Sequence, residues 1–306
     1  MRVDQPQDTR CSVYRSQVHT PIFQNEPYIR FSPHYQAYLW ACFLWGYAAT
    51  GHEEFLSKTL NALELCVDAY PDWQWTNQLT SELARILLPL SFLVRVTGDS
   101  RHIDWLERFS SELLVHQQKS GAIQEYLGSL EEASYPPPRS NADYGVREAS
   151  IIQGNGDPCA DLLYTTAYAF VGLHEASLAL ESDSLATAAS KLEEFLCRIQ
   201  VASRDHAYLD GSWMRAFDFE LWEYYGSSAD VGWGAWSVET GWVNTWISTI
   251  IGLRLQNRSL FDLWEDTSLR KIFPGVLDQM AKVHPVKPEL APIIRWLVKG
   301  TMPGSE

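Results

Sequence analysis

Aromatic and acidic side chains alternate along residues 208–246, which have the sequence YLDGSWMRAFDFELWEYYGSSADVGWGAWSVETGWVNTW. This stretch holds six of the 13 tryptophans of the 306-residue chain. The apolar face of a sugar ring stacks on an indole, whereas its hydroxyl groups need directional hydrogen-bond partners such as carboxylates. The stretch is therefore typical of a carbohydrate-binding cleft, although core tryptophans beside solvated acids would give the same pattern.

Two carboxylates in this stretch are candidates for a hydrolytic pair. Cleavage of a glycosidic bond needs a proton donor and a second carboxylate that activates water or attacks the sugar. Glu239 falls one turn into a predicted buried helix beside Trp236 and Trp242, where desolvation would raise its pKa and suit it to be the acid. Asp230 precedes that helix in polar, wetter surroundings and suits the base. Each is alternatively a turn or capping residue.

A second group of residues is predicted to contact the substrate. Arg215 is the candidate for holding a uronate carboxylate, since a guanidinium binds a carboxylate through two parallel hydrogen bonds. Its alternative is a surface ion pair with Asp218 or Glu220. Asp157, followed by Pro158, is either a helix N-cap or a substrate ligand. The remaining candidates are stacking rings, contacts to sugar hydroxyls and two reserve carboxylates: Trp75, Trp213, Trp233 and Trp236; Tyr35, Tyr225 and His34; Glu125 and Glu148.

The charge and motif content of the chain exclude several classes of partner. A formal net charge of −14 would repel nucleic acid and anionic membranes. No two histidines have metal-ligand spacing, and the sequence has no glycine-rich phosphate loop and no CxxC pair. We therefore predict a carbohydrate partner, no metal and no cofactor, and leave the oligomeric state open.

The cysteines and the first residues bear on the compartment. The five cysteines are scattered and mostly lie in apolar helical runs, which favours buried thiols in a reducing compartment over disulfides. The first ten residues, MRVDQPQDTR, carry acids where a secretory signal would have an apolar core. No apolar run is long enough to span a bilayer. For the chain as it stands we expect a soluble, cytoplasmic protein.

Helical periodicity begins at Ser32 and continues almost to the end of the chain. Residues 1–31 are polar and irregular and are predicted to be an N-terminal arm, with residues 32–306 as a single domain. Helices that are apolar on most sides alternate with amphipathic ones. We predict apolar helices at 33–50, 77–96, 158–179 and 237–255, amphipathic helices at 52–69, 99–114, 182–200 and 260–283, a terminal helix at 288–298, and short strands at 121–126 and 146–153.

This alternation repeats one unit, a buried helix followed by an amphipathic one. Thr50-Gly51-His52 is echoed by Thr97-Gly98-Asp99 at the turn inside the unit. Helices that are apolar all round must be covered by the others, so the predicted fold is all-α, with two concentric layers as in an (α/α) toroid. About four pairs are recognisable, against the six of a closed ring. The long connections at 72–77, 119–157 and 202–236 would then line one mouth.

Several runs of sequence also resemble a known family. The helical alternation resembles the six-hairpin glycosidases, and the most specific run, GSWMRAFDFELWEYYGSSADVGWGAWSVETGW (211–242), resembles bacterial proteins of glycoside hydrolase family 154. The resemblance covers roughly residues 28–256 and implies hydrolysis of β-glucuronides. Relatives tend to be longer and often carry an acid where Gly154 stands. The other runs that carry the resemblance are YQAYLW (35–40), GAIQEYLG (121–128), QGNGDPCADLLYTTAYAF (153–170), LHEA (173–176) and FLCRIQ (195–200).

Three functional hypotheses remain at this point. The first is a hydrolase for a β-linked sugar, which the resemblance specifies as a glucuronide. The second is a polysaccharide lyase on the same scaffold, with Tyr225 or His206 as the base. The third is a non-catalytic glycan-binding or assembly protein, which Gly154 and the short chain favour.

Overall fold

The computed structural model describes residues 32–227, 229–230, 234–238, 240–266 and 269–283. The predicted arm at 1–31 and the predicted terminal helix at 288–298 lie outside these residues. Within them, helices dominate. We number the α-helices α1 (Pro33–Thr50), α2 (Glu53–Asp68), α3 (Leu79–Thr97), α4 (Ser100–Leu114), α5 (Ala167–Ala179), α6 (Asp183–Ile199), α7 (Thr245–Leu255) and α8 (Leu269–Val283).

The helices form two layers. In the inner layer, α1 packs against α3, α3 against α5, and α5 against α7. In the outer layer, α2, α4 and α6 cover α1, α3 and α5 respectively. Every residue of α3 from Leu79 to Val94 is buried, as is every residue of α5 from Ala167 to Ser177. This is the predicted all-α hairpin architecture of an (α/α) toroid, and the described residues form part of the ring.

The outer helices show why the sequence alternates. Helix α6 turns one apolar face inward and buries Leu192, Phe195 and Leu196 completely, while its opposite face is exposed. Burying each such side chain contributes about 1.5–3 kcal/mol. One prediction for this layer is wrong: α8 packs mainly against α1 and not as the outer partner of α7.

The repeated turn inside the hairpins has the same structure in both copies. Gly51 (φ 74°) and Gly98 (φ 61°) end α1 and α3 in the left-handed conformation, which favours glycine. The threonine before each glycine donates its hydroxyl to the backbone oxygen four residues earlier, and that hydroxyl accepts the backbone N–H two residues later. The internal repeat predicted from sequence is thus a repeat of hydrogen bonds.

The long connections contain little regular structure. The predicted strands at 121–126 and 146–153 do not form, and the described residues have one two-stranded antiparallel sheet of β1 (Cys159–Asp161) and β2 (Ala216–Asp218). Short π-helical turns, Leu162–Thr166 and Thr240–Asn244, lead into α5 and α7. Helices α5 and α7 therefore begin later than predicted. Outside this sheet, isolated bridges join parts of the connections, such as Trp75 with Ala133 and Gln117 with Ile123.

The N-terminus of the α5 segment corrects another prediction. Asp157 does not cap a helix; its carboxylate accepts the backbone N–H groups of Gln153 (2.7 Å) and Gly154 (3.3 Å) and closes a turn. Asp161 is the cap, and its Oδ1 accepts the N–H groups of Leu163 (2.9 Å) and Tyr164 (3.0 Å). Asp161 is the last residue of β1, whereas Asp157 precedes the strand.

Two further sequence expectations concern cysteines and membranes. Of the described cysteines, Cys66 and Cys159 are buried and Cys42 and Cys197 are exposed, each as a free thiol. The expectation of mostly buried thiols therefore holds for half of them. Among the described residues, the helices are too short or too polar for any of them to cross a bilayer.

Candidate active site

A buried cluster of charges lies where the long connections meet the inner helices. Arg215 is completely buried, with its Nη1 2.5 Å from Asp230 Oδ2 and its Nη2 3.2 Å from Asp161 Oδ2. Asp161 is also completely buried, and Asp230 is 4% exposed. A buried guanidinium needs such partners, because an uncompensated charge in the interior is costly. We call Asp161, Arg215 and Asp230 the Arg215 cluster.

Three separate parts of the chain assemble this cluster. The sheet register sets Asp161 opposite Ala216, and the backbone oxygen of Arg215 accepts the N–H of Leu162 at 2.6 Å. Asp230, which is bridged to Arg147, joins them through its contact with Arg215 Nη1. The charges are therefore positioned by backbone pairing across the mouth of the ring.

Burial and charge act in opposite directions on Asp230. Desolvation raises its pKa, while the guanidinium of Arg215 and the N–H of Ala149 act to lower it, and the net direction is upward. Glu148 adds to the rise. It is half-buried and acts electrostatically on both Asp230 and Tyr164, so it belongs to the same neighbourhood.

Glu125 is a buried carboxyl group next to Asp161 of the Arg215 cluster. It is 1% exposed and accepts hydrogen bonds from the Thr80 hydroxyl, the Thr165 hydroxyl (2.8 Å) and the backbone N–H of Asp161 (2.9 Å). Burial, with the nearby charge of Asp161, raises the pKa of Glu125 to about 8. Glu125 is therefore mostly protonated at neutral pH and joins β1 to α3.

This setting predicts a pH dependence of stability. The folded-state pKa of Glu125, about 8, lies above the ordinary value of 4.5. Its stabilising contribution is therefore complete below pH 4.5 and is lost as the pH rises through 8. We expect Glu125→Gln to flatten the fall in unfolding free energy between those pH values, measured by urea denaturation. Equal slopes for Glu125→Gln and the wild type would contradict the prediction.

An aromatic pair stands on the surface beside the Arg215 cluster. Trp236 is 54% exposed and Tyr225 is 45% exposed, with ring centroids 6.1 Å apart in an edge-on arrangement. The backbone N–H groups of Arg215 and Ala216 donate to the oxygens of Ser237 (3.0 Å) and Ala235 (3.1 Å), on either side of Trp236. The backbone on both sides of Trp236 is thus hydrogen-bonded to the buried arginine and to the first residue of β2.

Two of the predicted stacking rings are core residues instead. Trp75 is 0% and Trp213 is 3% exposed. Their Nε1 atoms donate to the backbone oxygens of Ser129 and Leu196, each at 2.8 Å. Neither ring presents a face to a ligand, so the prediction that they stack on sugar is wrong. An indole in a core still needs a hydrogen-bond partner, and both found one in the backbone.

Arg215 and Asp230 also differ from their predicted settings. Arg215 is fully buried and bound by two aspartates, so it is neither a surface ion-pair residue nor placed to hold a uronate. Asp230 is buried and not in wetter surroundings. The predicted acid Glu239 and the predicted stacking residue Trp233 lie outside the described residues.

Two of the remaining candidates, His34 and Tyr35, lie near Tyr164. The His34 ring is 5.7 Å from the Tyr164 ring and 4.8 Å from the Tyr35 ring. Arg215 Cζ lies 5.1 Å from the centre of the same Tyr164 ring. His34 and Tyr35, at the N-terminus of α1, are therefore brought to the Arg215 cluster, whereas Asp157 remains in its own turn.

Sequence reasoning missed the charges inside the helices. Glu82 and Arg85 in α3 and Asp161 before α5 are all buried. A signal was present, because SELARILLPL places an acid and an arginine within a run of buried apolar residues. Charged residues are almost never fully buried unless they are paired or functional.

The chain is similar to solved structures of carbohydrate-active enzymes. One is an inactive variant of the α-1,6-mannanase GH76A of Salegentibacter sp. HEL1_6 in complex with α-1,6-mannotriose, with 12% identity and a TM-score of 0.48 over 79% of this chain and 59% of the mannanase. A second structure of that enzyme matches with 12% identity and a TM-score of 0.48, over 80% of this chain and 61% of that one. An unsaturated glucuronyl hydrolase specific for heparin matches with 15% identity and a TM-score of 0.40, over 65% of this chain and 43% of that one.

At 12–15% identity, these matches do not assign a function to the chain. The chain spans about three fifths of the mannanase's length. No protein-family model matches it, and no curated protein does so either.

Proposed function

We propose that this chain is a glycoside hydrolase that acts on a β-linked sugar, with a glucuronide as the preferred substrate, by two-carboxylate acid/base hydrolysis. The observation that carries the proposal is the position of the exposed Trp236–Tyr225 pair on the segment that holds Asp230 and Arg215. An exposed indole supplies a stacking platform for a sugar ring, and a desolvated carboxylate next to it supplies acid/base chemistry.

The proposed roles follow the environments of the carboxylates. Asp230 is the base, because Arg215 at 2.5 Å favours its charged form. Glu239, later in the same connection, is the proposed acid. In such a reaction the acid protonates the leaving oxygen while the base takes a proton from the attacking water, or the second carboxylate attacks the sugar carbon.

A second candidate function, glycan binding without catalysis, is favoured by one observation. In the described residues, the buried carboxylates of this region are already bound by donors of the chain. Asp161 and Asp230 bind Arg215, Glu125 accepts from two threonines and a backbone N–H, and Glu82 accepts from Ser32, His34 and Thr76. A scaffold with its acids held in this way could bind sugar and turn nothing over.

One assay separates these functions. The wild-type protein is incubated with 4-nitrophenyl β-D-glucuronide and with the matching glucoside, and nitrophenol release is measured beside thermal stability. The hydrolase proposal expects release, faster from the glucuronide. A glycan-binding protein would show a rise in melting temperature without release. Treatment of a uronate-containing polysaccharide that produces an ultraviolet-absorbing unsaturated product would instead identify a lyase.

A further inference from the structure

Within the part of the chain that the structure describes, Arg85 is a buried cation without a carboxylate in direct contact. It lies within α3 and is 5% exposed. Its Nη1 donates to the backbone oxygen of His34 at 3.4 Å, and its Nε is buried without a hydrogen-bond partner. Its Cζ lies 3.7 Å from the centre of the Tyr168 ring. A guanidinium has five N–H donors and is rarely buried unless they are paired, so these contacts leave most of its donors unused.

Glu82, the nearest acidic residue in α3, does not form a direct ion pair with Arg85. Glu82 accepts hydrogen bonds from the Ser32 hydroxyl (3.2 Å) and from the backbone N–H groups of His34 (2.5 Å) and Thr76 (3.1 Å). Among the described residues, no carboxylate oxygen lies within 4 Å of an Arg85 nitrogen. Burial raises the pKa of Glu82 to about 7, although the charge of Arg85 acts to lower it, so Glu82 carries only part of a negative charge at neutral pH and balances Arg85 incompletely.

Two other polar atoms near Arg85 lack a hydrogen bond within the described ranges. His34 Nδ1 and Tyr38 Oη are buried without hydrogen-bond partners, and Nδ1 lies 3.7 Å from Glu82 Oε1. The Tyr38 ring lies 5.1 Å from that of Tyr168 and 5.3 Å from that of Trp246. Tyr38 and Trp246 are half-buried, so the group reaches the surface. We call Arg85, His34, Tyr38, Tyr168 and Trp246 the Arg85 chamber, and its combination of rings with unmet donors and acceptors suits a sugar.

The chamber adjoins the proposed reaction centre. The Tyr164 ring lies 5.7 Å from the His34 ring, and Arg215 Cζ lies 5.1 Å from the centre of the Tyr164 ring. One aromatic side chain therefore separates the chamber from the Arg215 cluster. The contacts from Arg85 to Asp230 run through His34, Tyr164 and Arg215.

We propose that Arg85, and not Arg215, binds the carboxylate of an acidic sugar in the Arg85 chamber. This inference rests on the proposed function, because it assigns the acidic group of the substrate to a residue of the same mouth. The carboxylate would supply the direct ion pair that no described carboxylate makes with Arg85, and its two oxygens would match the guanidinium fork. The neighbouring rings would exclude water and strengthen the contact.

Binding to the Arg85→Met and Arg85→Lys variants tests the inference. Melting temperatures of the full chain are measured in sodium D-glucuronate, D-glucose and sodium acetate at equal ionic strength. We expect glucuronate alone to stabilise the wild type clearly, and Arg85→Met to bind it about ten- to a hundredfold more weakly. Arg85→Lys, which keeps the charge without the fork, should fall between them. Circular dichroism and the unliganded melting temperature check folding.

Arg95→Met is the matched control. Arg95 also lies over an aromatic ring, at 4.7 Å from Phe261, but it has a carboxylate partner in Asp262 at 2.5 Å. This variant should keep the glucuronate response. The inference is overturned if glucuronate does not stabilise the wild type more than glucose does, or if folded Arg85→Met keeps that preference.

The binding readout also separates this inference from the proposed hydrolysis. If the wild type prefers glucuronate, Arg85→Met loses that preference and no glycoside is cleaved, then the chamber stands and the hydrolase does not. If glycosides are cleaved while Arg85→Met still prefers glucuronate, then the hydrolase stands and the chamber assignment is wrong.

Discussion

Replacing Arg215 by glutamine should lower the free energy of unfolding by about 3–5 kcal/mol, because removing one member of a buried ionic group leaves the others uncompensated. Asp161 and Asp230, which each bind one nitrogen of Arg215, would both remain buried and would lose that cation. Glutamine can donate one amide group but carries no charge. Urea denaturation monitored by circular dichroism measures the loss, with an unchanged m-value as the check that the transition is comparable.

An exposed ion pair provides the control for this effect. Arg101 Nη2 lies 2.6 Å from Glu64 Oε1, but the side chains are 54% and 38% exposed. Arg101→Gln should therefore cost less than about 1 kcal/mol. The combined variant Arg215→Met, Asp161→Asn, Asp230→Asn should lose less stability than Arg215→Gln alone, since the cluster would then hold no buried charge. Equal losses for Arg215→Gln and Arg101→Gln would show that the cluster is not a buried ionic core.

The helices of this fold could be predicted from sequence because their cause is local. Apolar residues on most sides of α3 and on one face of α4 determine which helix is covered and which meets solvent. Gly51 and Gly98 end their helices in the left-handed conformation, and a glycine after a helical run predicts such an end. The packing of α8 on α1 was not predicted. An amphipathic pattern shows that one face of a helix is covered, but it does not show which helix covers it.

The candidate site was less predictable because long-range pairing decides burial. Trp213 and Trp236 occur in similar sequence surroundings, with glycines and acids nearby, yet one is 3% and the other 54% exposed. Trp213 lies against α6, where the backbone oxygen of Leu196 accepts its indole N–H. The environment of Arg215 depends likewise on Asp161, a residue 54 positions away. Residue types identify candidate site residues, but they do not show whether the fold buries or exposes them.

The second large effect is expected on catalysis. Asp230→Asn should reduce the kcat for aryl glycoside hydrolysis by about two to four orders of magnitude, the usual contribution of a general base. Glu239→Gln should have a loss of similar size as the proposed acid. Because burial raises the pKa of Asp230, the wild-type rate should fall on acidification at a higher pH than for an ordinary aspartate.

Asp161→Asn is the variant that separates catalysis from stability. Asp161 and Asp230 each bind one nitrogen of Arg215, so both asparagine variants leave that arginine with one carboxylate. The two should therefore lose comparable stability, since the asparagine introduced at position 161 can still cap the turn before α5. Asp161 is 0% exposed, whereas Asp230 is 4% exposed and is influenced by the charge of half-buried Glu148. Equal losses of kcat in the two variants, measured well below their melting temperatures, would mean that Asp230 acts only through the fold; a loss confined to Asp230→Asn would place it among the reacting groups.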